Sequence, residues 1–119
     1  MIFEIHIIGD RAIGELVAAG VVINGVEDGL DLLGNAYHQR FEKLIVHERN
    51  LTPDFFDLKT GIAGEILQKF SNYRIRLAIV GDFAKYSSKS LRDFIFESNK
   101  GGRVNFVGSV EEAVVVLGR

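Results

Sequence analysis

The sequence predicts a single α/β domain, residues 1–119, with a mixed and largely parallel β-sheet. Apolar side chains alternate over residues 2–8, and the Gly9-Asp10 pair that follows is typical of a two-residue hairpin turn. Beyond the hairpin, short β-branched runs alternate with segments whose apolar residues recur at helical intervals. Such repeated strand–helix units need right-handed crossovers and favour parallel strands.

The first half of the chain is predicted to hold an N-terminal β-hairpin, a helix and a buried strand. The strand over 2–8 returns over 11–18, and residues 21–24 either extend it or begin a short further strand. Asn24 and Glu27 have the spacing of a capping pair for a helix that ends near His38. The short apolar run in "EKLIVHE" predicts a strand at 43–47.

The segment after this strand is predicted to be a turn and then a longer helix. Thr52-Pro53 is typical of a helix start, with a hydroxyl cap followed by proline at the first position. A short turn to Asp57 is expected, then a helix from about Thr60 to Ser71. The run "RIRLAIVGD" predicts the next strand at 75–80.

The last third repeats the alternation. Ser88 is expected to cap a helix that ends at Gly101-Gly102, and a strand at 103–107 follows. Ser109 and Glu112 have capping-box spacing for a final helix. In such a sheet the carboxyl ends of the parallel strands share one edge, so loops 48–59, 81–88 and 108–109 should gather there, where open α/β sheets usually bind ligands.

Composition excludes several classes of function. The net charge of −2 and the lack of a basic run argue against nucleic-acid binding. The chain has no cysteine, which excludes disulfides, thiol nucleophiles and cysteine metal sites. No apolar run is long enough for a membrane span, and no signal peptide is recognisable. We therefore expect a cytoplasmic domain without membrane contact.

The two glycines of "FFDLKTGIAGEIL" raise a question about packing. Gly61 and Gly64 are three residues apart, so they share one side of the predicted helix. The favoured interpretation is close packing of that helix, with a phosphate cradle or a protein contact as alternatives. "GIAGE" lacks the lysine–hydroxyl ending of a phosphate loop.

Two polar segments at the predicted carboxyl edge are candidate binding sites. Acids and a lysine near a helix start can simply cap it, or the loop can form a partner-binding surface with Thr60 as a candidate phospho-acceptor. The second segment leads into the helix capped by Ser88 and could hold an anion. The candidate binding residues are Asp54, Asp57, Lys59, Thr60, Asp82, Lys85, Tyr86, Ser87 and Ser88.

The three histidines give no metal-ligand spacing, and no metal or other cofactor is predicted. His47 with Glu48 ends a central strand near the functional edge, where an acid–base role is the alternative to a satisfied structural histidine. No serine–histidine–aspartate set can be chosen from spacing, and no catalytic residue is assigned.

The element order resembles the STAS domain, the fold of anti-sigma-factor antagonists and sulphate-transporter tails. Its signature is a strand, an Asp-Ser-Ser-Gly-Leu loop and a helix. Here "LIVHE" is followed by a longer loop and "DLKTGIAGEIL", in which Gly61-Ile62 matches the signature Gly-Leu and Thr60 stands at a loop hydroxyl. Lys59 replaces the other serine, and Asp57 matches the acid only with an insertion. The resemblance implies a STAS-like fold.

A closer resemblance is to a bacterial family known only as a domain of unknown function. The blocks "NLTPDFFDLKTGIAGEILQKFSNYRIRLAIVGDF" and "SKSLRDFIFESNKG" are similar to the two dense blocks of that family. The family implies no activity.

The function expected is that of a non-catalytic regulatory or protein-interaction domain, with a protein partner and with homo-oligomers allowed. The alternative is a small-molecule-binding or anion-binding domain, or a weak enzyme, that uses the same edge. A deep pocket holding His47 and Asp82 would favour the ligand, whereas a flat edge with exposed Phe or Tyr would favour a protein partner.

Overall fold

Five strands form one sheet whose spatial order follows the chain. The computed structural model describes residues 1–119. The strands are β1 (Phe3–Ile8), β2 (Arg11–Leu16), β3 (Lys43–His47), β4 (Arg76–Val80) and β5 (Val104–Val107), in the order β1-β2-β3-β4-β5. β1 and β2 form an antiparallel hairpin, and the remaining pairs are parallel. The predicted mixed sheet, with parallel strands at 43–47, 75–80 and 103–107, is confirmed.

Four helices cover the sheet unequally. They are α1 (Val26–His38), α2 (Ile62–Asn72), α3 (Lys89–Gly101) and α4 (Val110–Leu117), with short 3-10 turns at Glu48–Asn50, Pro53–Phe56 and Leu58–Thr60. α1, α2 and α3 each connect one parallel strand to the next, always toward β5. Right-handed crossovers that advance in one direction place their helices on one face, and α4 is therefore free to pack on the other.

Two cores result. The larger one joins α1, α2 and the start of α3 to residues such as Leu44, Leu77 and Phe106 of the sheet. The smaller one lies under α4, where Ala113 and Leu117 meet Ile45 and Ala78. α4 is only eight residues long. On this second face Ile13 of β2 is buried in the smaller core, whereas β1 is largely exposed.

Most predicted elements are confirmed, with corrections at two boundaries. Residues 21–24 form only an isolated bridge, between Ile23 and Leu51. The predicted Asn24–Glu27 capping pair is wrong. Gly25 is the N-cap of α1 and makes no side-chain cap. The Asn24 amide instead donates to Asp28 Oδ2 at 2.8 Å.

The predicted packing role of Gly61 and Gly64 is also wrong. A Cβ added at either glycine would meet no atom within 4 Å. Gly61 has a φ of 78°, in the left-handed region that favours glycine, between the 3-10 turn and α2. Close packing belongs to Gly29 of α1, where an added Cβ would lie 2.5 Å from the Ile66 side chain.

Candidate functional site

Glu48 is the centre of a polar cluster at the carboxyl edge of the sheet. The residue directly follows β3, and its carboxylate accepts hydrogen bonds from the Tyr86 hydroxyl, from Lys85 Nζ at 2.9 Å and from the Asp82 amide at 3.2 Å. Gly81 makes this approach possible, since an added Cβ would lie 2.5 Å from Glu48 Oε1. The loops after β3 and β4 are thus joined, as parallel strand ends predict.

The two titratable groups of the cluster, the Glu48 carboxyl and the Tyr86 phenol, are in opposite protonation states. Burial raises the pKa of Glu48, but the donors from Tyr86, Lys85 and the Asp82 amide outweigh burial and lower this pKa below its ordinary value. Burial, and then the hydrogen bond to Glu48, raise the pKa of the Tyr86 phenol. Glu48 is therefore a carboxylate with its donors in place, and Tyr86 is a neutral donor.

An aromatic stack seals the cluster on the core side. The rings of Phe56 and Tyr86 stack at a centroid distance of 5.1 Å, and Phe83 lies 6.4 Å from Tyr86. Phe83 in turn meets Phe106 of β5 edge-on at 5.2 Å. Tyr86 and Phe83 are half-buried, so the stack fixes the loop rather than presenting flat rings to a partner.

The cleft beside this cluster is open and small. It has a volume of about 300 Å³, and its lining includes Arg49, Phe56, Lys85 and Tyr86. His47 and Asp82 do not line it. Ligand pockets for drug-sized molecules measure ~300–1,000 Å³ and are mostly enclosed. The deep pocket that would favour a ligand at this edge is not present.

The segment 54–60 is held by its own hydrogen bonds. Thr60 Oγ1 lies 2.8 Å from the main-chain oxygens of both Asp54 and Asp57 and accepts from the Ile62 amide at 3.3 Å. Asp57 Oδ1 accepts from the Lys59 amide at 3.2 Å. Thr60 and Asp57 thus shape the turn before α2, whereas the side chains of Asp54 and Lys59 are exposed and make no such bond.

Among the candidate residues from 82 to 88, most side chains are also held by hydrogen bonds within the chain, and one is not. Ser88 Oγ accepts from the Leu91 amide at 3.2 Å and caps α3. Asp82 Oδ1 accepts from the Ala84 amide, and Lys85 and Tyr86 are bound to Glu48. Ser87 is exposed with no side-chain hydrogen bond. The structure brings Asp82, Lys85 and Tyr86 together around Glu48. The four polar candidates of the 54–60 segment make no hydrogen bond or ion pair to this cluster.

A second polar cluster crosses β1, β2 and β3 on the sheet face that carries α4. Glu15 Oε1 lies 2.7 Å from His6 Nε2, and Glu15 Oε2 lies 2.7 Å from His47 Nε2. Burial raises the pKa of Glu15, but the hydrogen bonds from His47 and His6 outweigh it and lower this pKa below its ordinary value. A carboxylate only accepts hydrogen bonds, so both histidines carry a proton on Nε2.

His47 is fixed further by Asn50. The Asn50 amide donates to the His47 side chain, and Asn50 Oδ1 accepts from the His47 amide at 3.2 Å. Asn50 Nδ2 donates to the main-chain oxygens of Ala18 and Gly20, which anchors the segment after β2. Both ring nitrogens of His47 are therefore hydrogen-bonded within the chain. These side chains form no group with the geometry of a metal site.

Sequence reasoning missed Glu48 and Glu15 as the centres of the two clusters. In the sequence Glu48 is only the neighbour of His47, and its partners lie 34–38 residues further on. The one local signal was Gly81, a glycine directly after a strand, which indicates a close approach of another chain segment. For Glu15, a lone acid on an alternating strand gives no comparable signal.

Comparisons with known proteins give a family and nothing finer. No helix of the chain combines the length and the apolar character that crossing a membrane would need. No curated protein and no solved structure matches the chain. A family model described as "Domain of unknown function (DUF4180)" matches residues 8–117. The match covers both polar clusters except His6, and the chain therefore belongs to this family of unknown function.

Proposed function

We propose that this chain is a non-catalytic protein-interaction domain, that it binds an extended protein segment along β1, and that this segment is β1 of a second copy. The observation that carries the proposal is that β1 is an apolar edge strand with no partner on its outer side. Ile5 and Ile7 are 57% and 65% exposed. Soluble proteins usually protect such edges with charges, proline or bulges.

The outer side of β1 offers unused backbone groups. The Val17 amide donates to the Ile2 carbonyl at 2.9 Å, so the even-numbered residues of β1 form the hydrogen-bonded pairs with β2. Hydrogen-bonded and non-hydrogen-bonded residues alternate along an antiparallel pair. The amides and carbonyls of Phe3, Ile5 and Ile7 therefore point away from β2 and are free to pair with another strand.

The side chains of β1 are self-complementary about Ile5. In an antiparallel pair of two copies centred there, Phe3 lies opposite Ile7 and Glu4 lies opposite His6. Within one copy Glu4 stands opposite Glu15, a like-charged neighbour. A second copy places an imidazole beside Glu4, which favours this register over the neighbouring ones. The two sheets would become one continuous sheet.

The carboxyl edge supports the non-catalytic part of the proposal. Glu48 already accepts three donors, and the hydroxyls of Thr60 and Ser88 are used in caps. The remaining candidate hydroxyl, Ser87, is exposed and is hydrogen-bonded to no base. The exposed side chains of Asp54, Lys59 and Ser87 are proposed as a secondary contact for a protein partner. A regulatory role in the cytoplasm fits the resemblance of the element order to STAS domains.

Cysteine cross-linking tests the proposed register, because the native chain has no cysteine. Opposed residues of a hydrogen-bonded antiparallel pair have Cα atoms ~5.5 Å apart, within disulfide range. Ile5→Cys should therefore form a covalent dimer on mild oxidation. Ile7→Cys is the matched control, since Ile7 would lie several residues from its own copy and should stay monomeric.

Sedimentation of uncross-linked protein tests the association itself. The wild type should sediment as a dimer, and Ile5→Lys should sediment as a monomer that still melts cooperatively, because two lysines would meet on the symmetry axis. Val115→Lys, at an apolar residue of α4 that is 60% exposed, should remain a dimer. A wild type that is monomeric at every concentration, or equal cross-linking through both cysteines, rejects pairing with a second copy.

A further inference from the structure

A basic cleft lies at the amino ends of the central strands, opposite the edge described above. Its volume is about 390 Å³, and five of its seven lining residues are cationic against one acid, Glu42. The cations are Arg11, Lys43, Arg74, Arg76 and Arg119. This concentration of charge stands out because the chain as a whole has a net charge of −2.

Lys43 is the unusual member of this group. The residue is only 8% exposed and makes no ion pair or side-chain hydrogen bond. It stands directly opposite Arg76 in the pairing of β3 with β4, where like charges destabilise a sheet. Burial, then the nearby charges of Arg76 and Arg11, lower the pKa of Lys43, and Glu42 offsets this only in part. The Lys43 ammonium reaches the cleft and has no partner within the chain, so an anion bound in the cleft would relieve this repulsion.

The other cations of the cleft are either held in place by hydrogen bonds within the chain or exposed and able to bind a ligand. Arg76 donates to main-chain oxygens of Gly102, Val116 and Leu117, so its guanidinium is held in place at the end of α4. Arg11 is exposed and meets Glu42 only at 3.4 Å. Glu42 therefore offsets little of the positive charge, and nothing from the chain is paired with Lys43.

An aromatic cleft adjoins the basic one and shares Glu42 and Arg74 with it. Its volume is about 690 Å³. Tyr37 and Tyr73, 64% and 53% exposed, meet edge-on in its wall with a centroid distance of 5.7 Å. Arg74 has a φ of 58°, a strained backbone for a residue other than glycine.

We propose that these two clefts form one binding site for a phosphorylated small molecule. The phosphate group would lie among Lys43, Arg11 and Arg74, and an aromatic or apolar part would lie against Tyr37 and Tyr73. Phosphate fits better than a single carboxylate because several cations line one cleft, and Arg and Lys bind its several oxygens directly. This site is separate from β1, so it does not depend on the proposed self-association.

A small molecule is favoured over a polyanion. The basic residues of the two clefts lie at one edge, and the chain has neither a basic run nor a net positive charge. A nucleic acid or an anionic membrane would need a wider basic face. Binding by such a polyanion is therefore an outcome that would overturn the proposal.

Calorimetric titration with inorganic pyrophosphate, AMP and adenosine tests the site. Lys43→Met keeps a side chain of similar length and removes the charge, and Lys100→Met is the matched control on α3. We expect AMP to bind the wild type and Lys100→Met equally, and Lys43→Met at least about tenfold more weakly, as loss of a charge-assisted contact predicts. Tyr73→Ala should weaken the binding of AMP and leave the binding of pyrophosphate unchanged. Adenosine, which has no phosphate, should bind the wild type weakly.

A second variant keeps the test valid if Lys43→Met does not fold. Arg74→Gly removes a guanidinium and places glycine where the backbone suits it, so a folded protein with weakened AMP binding is expected. No binding of AMP or pyrophosphate to the wild type up to about 10 mM, a range far weaker than specific sites show, overturns the proposal. The proposal is also overturned if Lys43→Met and Arg74→Gly both bind AMP with wild-type affinity. Binding of the wild type only to single-stranded RNA or to phosphatidylglycerol vesicles would overturn it as well.

Discussion

Arg40 and Arg74 occupy the same position at the ends of consecutive helices. Each is the left-handed residue after the C-cap, with φ values of 65° and 58°. The next amides complete the motif: Phe41 donates to the Ala36 carbonyl at 2.9 Å and Ile75 to the Phe70 carbonyl at 3.0 Å. Glycine usually fills this position, so two arginines here hold backbone strain that glycine would release.

The first prediction concerns that strain. Arg40→Gly and Arg74→Gly should each raise the free energy of unfolding by about 1 kcal/mol, since a left-handed residue with a side chain costs ~1–2 kcal/mol. Arg92→Gly, in the exposed interior of α3, should instead lower it by about 1 kcal/mol. Urea unfolding of the three variants measures this. Loss of stability in both Arg40→Gly and Arg74→Gly would show that the guanidinium contacts outweigh the strain.

The second prediction distinguishes a glycine at a close helix contact, Gly29, from a glycine in open space, Gly64. Gly29→Ala should destabilise by ~1–3 kcal/mol through overpacking against buried Ile66. Gly64→Ala, in open space on α2, should stabilise by up to ~1 kcal/mol. A double-mutant cycle with Ile66→Val should show that the shorter side chain relieves part of the Gly29→Ala cost. Equal effects at both glycines would contradict the assignment of the close helix contact.

The third prediction concerns acid stability. The lowered pKa of Glu48 means that its stabilising contribution is present above the ordinary value of 4.5 and is lost as the pH falls through the lower folded pKa. Glu48→Gln should therefore be less stable than the wild type at pH 7 and should lose less stability on acidification. Glu65→Gln, an exposed acid of α2, is the control and should keep the wild-type acid dependence. Urea unfolding at several pH values gives the comparison.

The fourth prediction divides the turn before α2 by role. Thr60→Val should cost ~1 kcal/mol, because the hydroxyl is the donor to the Asp54 and Asp57 carbonyls. Lys59→Glu should stay within ~0.5 kcal/mol of the wild type, as surface changes usually do. Thermal melts of the single variants test this. If Lys59→Glu melts normally but changes association with a protein, the secondary contact proposed at this loop gains support.

The sequence allowed most of the fold to be predicted because its signals are local. The Gly9-Asp10 turn, the Ser88 cap and the Ser109 cap each depend on residues a few positions apart, and all are present in the structure. The packing prediction for Gly61 and Gly64 is wrong because residue spacing does not show which side of a helix meets the core. Spacing shows only which residues share a side.

The candidate sites were less predictable because their geometry depends on register between distant strands. Tyr86 reaches Glu48 only after β4 has paired with β3, and Glu15 joins His6 and His47 across three strands. The basic cleft needs the same information, since Lys43 and Arg76 become neighbours only through strand pairing. The local patterns predict candidate residues only at the carboxyl edge and none at the amino edge.

The agreement between chain order and strand order also has a consequence for biosynthesis. Each strand pairs with the one made just before it, so no strand has to be inserted between two that are already paired. Every parallel pairing closes a loop holding a single crossover helix, which keeps the entropy of loop closure small. The domain can therefore assemble progressively as it leaves the ribosome, beginning with the hairpin, and α4 can seal the second face only when synthesis is almost complete.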